Sequence, residues 1–188
     1  MQGNIFKDVD RMTKNNKQLN DLILSGVYLA IGLVLPFLTM QVKEIGDSLL
    51  PMHLPVMLCG MMCGSGYGLV IGALLPVVRA FLFGMPPLYP NAVWMAAELA
   101  TYGFIVGILY NRFFKKQLWW IYASLVISMI SGRVVWGIVK LLLLSNSGKL
   151  FTFGAFITGG FIDAIPGIIL QLLLIPLIVM LKNNYQKG

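Results

Sequence analysis

Apolar residues fill this chain in long runs, separated by short polar segments. The first run covers about 22–40 and is followed by the polar connection Gln41 to Ser48. The second, about 49–63, is short and carries Pro51 and Pro55 near its start. At ~1.5 Å per residue it barely crosses a ~30 Å hydrocarbon core, so it is expected either to be buried among other helices or to start deep. Gly64-Ser65-Gly66 reads as a tight turn into a third run over 67–83. Gly84 to Asn91 contains Pro86, Pro87 and Pro90 and cannot be helical. A fourth run covers 92–110, and a fifth covers 118–144, opening on Trp119 and Trp120 as at a headgroup belt. After a polar loop, 145–152, a sixth covers 153–181, with Pro166 and Pro176 as expected kinks.

This pattern predicts an all-α membrane protein of six transmembrane helices. Residues 1–21 read as a cytoplasmic N-terminal tail, partly an amphipathic surface helix, with no cleavable signal pattern. Residues 22–182 form the membrane domain and 183–188 a second cytoplasmic tail.

Charge sets the orientation. Lys7, Arg11, Lys14, Lys17, Arg112, Lys115, Lys116, Lys182 and Lys187 fall on one side, and only Lys43 and Lys149 on the other. The basic excess marks the cytoplasmic face and puts both termini there. The net charge of +7 is therefore topogenic and does not imply nucleic acid. A hydrophobic content of 58% against 11% charged residues fits the same picture, since soluble domains carry about a quarter charged residues.

Five charges nevertheless lie inside the predicted spans: Arg79, Glu98, Arg133, Lys140 and Asp163. Each costs roughly 3 kcal/mol or more to insert. Their positions, with His53 at the end of the second stretch, converge on the extracellular half. Arg133, Trp136 and Lys140 share a helical face. These groups predict either a network of structural ion pairs, such as Arg79 with Glu98 or Arg133 with Asp163, or an outward-facing polar cavity. Tyr89, Asn91 and Trp94 would complete its lining. The two readings are compatible.

Small residues recur at helical spacing: Gly60, Gly64, Gly68 and Gly72; Gly103 and Gly107; Gly26 and Ala30. Such pairs let helix backbones approach closely in lipid. Most are expected to pack internally, with one pair left as a candidate external docking face. Cys59 and Cys63 fit no zinc pattern and read as buried filler. There is no nucleotide-binding G-x-x-x-x-G-K-[ST] loop, so the chain cannot drive itself with ATP. His53 and Ser65 are too far apart for a hydrolytic dyad, and no cofactor motif or metal cluster is visible. The chain is not expected to be an enzyme.

The first-span segment Ser25-Gly26-Val27-Tyr28-Leu29-Ala30-Ile31-Gly32 with Leu35-Pro36, then Leu50-Pro51-Met52-His53-Leu54-Pro55, Cys63 to Gly68, Pro76-Val77-Val78-Arg79, Phe83 to Pro87 and Glu98 to Gly103, resembles the substrate-binding S component of energy-coupling factor (ECF) vitamin transporters. The resemblance spans about 22–181. It implies a membrane-embedded vitamin-binding subunit of the bacterial cell membrane, working with a transmembrane T component and two separate ABC-type ATPase subunits. It also implies docking through an Ala-xxx-Ala pattern on the first helix, where this chain has Gly26 and Ala30.

The excess of intramembrane basic residues favours an anionic substrate such as pantothenate. Pyridoxine, hydroxymethylpyrimidine and other water-soluble vitamins are further candidates. The alternatives from other classes are a self-sufficient secondary transporter of a small polar solute and a ligand-free assembly subunit. The first would normally show internal repeats, which are not visible here; the clustered charges speak against the second.

Overall fold

The computed structural model describes residues 2–39, 48–113, 118–145 and 151–185. All regular structure among them is helical. Helix α1 runs over Gln2–Val34, much earlier than the span predicted from Leu22. The segment from Asn4 to Ser25 contains neither glycine nor proline, so nothing separates a polar tail from the apolar helix. The part of α1 long and apolar enough to span a membrane belongs to the stretch Thr13–Phe37. Near Pro36 the helix tightens into the 3-10 turn Leu35–Thr39.

Helix α2, His53–Cys63, has eleven residues, roughly 16 Å of rise. It is too short to cross a membrane alone, shorter still than the barely spanning stretch expected from the sequence. Leu50, at a left-handed φ of 50°, and Pro51 block an earlier start. Pro55 sits in the first turn, where no backbone donor is needed. Gly64, at φ 108°, reverses the chain where a side chain would be strained.

Helix α3 is Ser65–Phe83 and ends on left-handed Gly84, whose N–H donates to the Ala80 carbonyl. An irregular segment through Tyr89 leads into α4, Val93–Phe113. Helix α5 is Leu118–Ser145. The last span is broken: α6, Phe153–Ile157, is capped by the Thr152 hydroxyl accepting from the Ala155 N–H. A wide turn over Thr158–Ile162 then leads into α7, Ile165–Tyr185. Five stretches among the described residues are long and apolar enough to cross a membrane, with α2 as a shorter sixth apolar helix.

Three contacts fix relative directions. Tyr67, at the start of α3, donates to the Gln18 carbonyl of α1. Asn111, near the end of α4, donates to the carbonyls of Gly107 and, near the end of α2, Gly60. Lys182, late in α7, reaches the Met62 sulfur of α2 at 3.0 Å. Residues near both termini therefore meet at one end of the bundle, here the terminal end; the opposite one is the far end.

Helix α2 lies at the centre, buried on nearly every side. Met57, Leu58 and Met61 pack with Tyr102, Val106, Leu125, Ile175 and Val179. Val56 and Cys59 pack with Ile71, Leu75 and Leu99. Both cysteines are free and buried. Helices α3 and α4 touch backbone to backbone: a Cβ on Gly103 would run into the Gly68 carbonyl, and one on Gly72 into that of Leu99. On α5 an apolar stripe, Val126, Ile130, Val134, Ile138 and Leu141, faces outward, as a lipid-facing surface does.

Candidate functional site

Glu98 is the hub of a buried polar cluster. Its Oε1 receives the Arg133 Nη1 at 2.8 Å and the Tyr102 hydroxyl at 3.1 Å. His53 Nε2 lies 3.4 Å from the same oxygen. All four residues are almost fully buried. Each position has a local cause. Tyr102 is one turn below Glu98 on α4, and Gly132 leaves room for its ring against α5. His53 opens α2, and its ring meets Tyr102 edge-on at 5.1 Å. Removing either partner of such an ion pair costs about 3–5 kcal/mol, because the other charge stays buried. The cluster is not saturated. Among the described residues Arg133 Nη2 and both ring nitrogens of His53 have no hydrogen-bond partner, so buried polar atoms remain for a further group.

Two turns along α5, Lys140 enters an aromatic cage. Its Nζ lies 4.3 Å from the Trp136 ring centre, 5.1 Å from Phe151 and 5.4 Å from Trp94. Each cation–π contact contributes about 0.5–2 kcal/mol, more where water is excluded. Trp136 is held in turn by Phe151, edge-on at 5.9 Å, and by Phe156 at 6.1 Å. The wide turn of the last span brings Gly159 and Gly160 against its ring.

The structure thus brings together His53, Glu98 and Arg133 in one cluster and Trp94, Trp136 and Lys140 in another, joined along one face of α5. Arg79 stands elsewhere. Its Nη1 donates to the Leu33 carbonyl at 2.7 Å, and its guanidinium lies 5.2 Å from the Phe37 ring and 5.5 Å from Phe83. Arg79 is therefore not the partner of Glu98, and Arg133 pairs with Glu98 instead of Asp163. Asp163 is exposed in the turn before α7 and has no ion-pair partner among the described residues. Tyr89 is exposed and Asn91 half-buried in the segment before α4. Gly26 and Ala30 face outward from α1, and a Cβ on Gly26 would meet no other described part of the chain within 4 Å.

Sequence reasoning missed Tyr102, Phe151 and Phe156 as site components. Tyr102 was detectable from its i+4 spacing to Glu98. Phe151 and Phe156 carry no comparable signal, because their approach to Trp136 depends on the break in the last span.

The architecture is that of a multi-pass helical membrane protein with a polar cluster inside the bundle. A family model described as the ECF transporter, substrate-specific component, matches residues 20–179, and the chain belongs to that family. It is accordingly a transporter subunit and not an enzyme; S components of this family bind small-molecule substrates and associate with T and ATPase modules. No curated protein and no solved structure matches the chain.

Proposed function

We propose that the protein is the high-affinity binding subunit for uptake of a water-soluble vitamin or precursor across the bacterial cell membrane, with pantothenate as the substrate. The observation that carries this reading is the pairing of an unsaturated guanidinium with a caged ammonium on one face of α5. Arg133 keeps Nη2 without a partner while Nη1 holds Glu98. Lys140 lies among three aromatic rings two turns away. The two cations on this face of α5, one of them paired with Glu98, suit an anionic ligand. The aromatic rings suit its apolar body. His53, Trp94, Trp136, Tyr89 and Asn91 complete the proposed lining.

In this reading six helices cross the membrane, counting α2, and the terminal end is cytoplasmic. The site opens at the far end to the outside. Gly26 and Ala30 on α1 dock a separate transmembrane T component, and two ABC-type ATPase subunits supply the energy. The test is mass spectrometry of ligand released from the purified protein, followed by calorimetric titration with pantothenate. Co-purified pantothenate and saturable binding support the assignment; a different vitamin replaces the substrate, and the absence of any bound or binding vitamin rejects the reading.

A further inference from the structure

The surroundings of Arg79 point to a task other than ligand binding. The 3-10 pattern that begins at Leu35 directs the Phe37 N–H to the Val34 carbonyl. In the same pattern the donor for the Leu33 carbonyl would be residue 36, which is proline and has no N–H. The Leu33 carbonyl thus has no 3-10 donor of its own chain segment. Arg79, from α3, donates Nη1 to it at 2.7 Å. The guanidinium sits between Phe37, on the 3-10 turn, and Phe83, the last residue of α3. These two rings meet edge-on at 4.9 Å.

Arg79 is buried, and no carboxylate among the described residues lies within ion-pair distance of it. Its charge is balanced by other means. It lies at the carboxyl end of α1 and one turn from the carboxyl end of α3, where helix dipoles present partial negative charge.

We propose that Arg79 is a positioning residue: it completes the hydrogen bonding that Pro36 removes from α1 and clamps the far ends of α1 and α3 together. The clamp fixes Phe83, and through it the segment that carries Tyr89, Asn91 and Trp94 to the site. The Leu33 carbonyl at the end of α1 is consequently held by a side chain from another helix, which makes this junction separable without unfolding either helix. The proposal does not depend on which ligand the site takes.

The test is hydrogen–deuterium exchange on the purified chain in lipid nanodiscs without any ligand, reading the segments 33–39 and 83–94. Arg79→Met is expected to accelerate exchange in both segments by about tenfold, while the buried middle of α2 and α4 stays protected. Pro36→Ala restores a backbone donor near Leu33. In the Pro36→Ala background, Arg79→Met is expected to leave 33–39 close to wild type and to accelerate only 83–94, where the ring contacts are still lost. Equal acceleration of 33–39 by Arg79→Met with and without Pro36→Ala overturns the proposal, as does unchanged exchange in both segments. If Arg79→Met alone does not fold, recovery of folded protein by adding Pro36→Ala supports the proposal. Failure of the double variant to fold overturns it.

Discussion

Arg133 donates to Glu98 across 2.8 Å between α5 and α4, and both residues are almost entirely out of contact with solvent. Arg133→Met is therefore expected to cost about 3–5 kcal/mol, since it strands the carboxylate. Arg133→Met combined with Glu98→Gln should recover a large part of that loss. Thermal unfolding in detergent measures both, and additive losses would show that the pair is not coupled.

Lys140 offers a cleaner probe of the proposed ligand site. Methionine keeps the apolar stem against Trp136 and removes only the charge. Lys140→Met should weaken pantothenate binding at least about tenfold, ~1.4 kcal/mol, with a smaller fall in Tm than Arg133→Met produces. Calorimetry beside a melting curve separates the two effects; unchanged affinity removes Lys140 from the site.

The contact between α3 and α4 admits no side chain at its centre. Gly103→Leu would drive a branched group into the Gly68 backbone. Overpacking of this kind costs about 1–3 kcal/mol, and more where the neighbour is backbone. Loss of a monodisperse peak in size-exclusion chromatography is the expected outcome, and a normal peak with normal Tm would mean that the helices separate freely.

Gly26 behaves oppositely, because among the described residues nothing beyond its own stretch of helix lies within 4 Å of its would-be Cβ. Gly26→Trp should leave the Tm and ligand binding of the isolated subunit unchanged while abolishing uptake in cells that supply the T and ATPase subunits. Normal uptake would exclude this face from docking.

Topology can be checked at two exposed positions. In a cysteine-free background, an impermeant thiol reagent added to intact cells should label Tyr89→Cys and leave Lys17→Cys untouched until the membrane is opened. The reverse pattern would invert the assignment of the terminal end.

The apolar runs, the shortness of α2, the buried cysteines and the shared face of Arg133, Trp136 and Lys140 were all legible in the sequence, because each follows from hydropathy or helical period. Partner choice among the charges was not. Counting residues gives a rough depth within a span but neither the rotation of a helix nor its offset against a neighbour. Here Gly72 packs on Leu99 and Gly68 on Gly103, and the same antiparallel register sets Arg79 level with Ala92. That is six residues, ~9 Å along the axis, from Glu98. The expected Arg79–Glu98 pair fails for this reason. The early start of α1 was hidden because polar and apolar helix share one backbone, and only hydropathy changes between them.

The glycine contacts also bear on how the molecule can deform. Where backbones touch directly, no rotamer change can absorb a displacement, so α3 and α4 slide past one another only by breaking contact. The seam between α1 and its neighbours is softer: Gly32 of α1 faces the branched end of Leu75 and the ring of Pro55, side-chain atoms that can yield. Any breathing of the bundle is thus channelled away from the α3–α4 slab and into the movement of α1 across it.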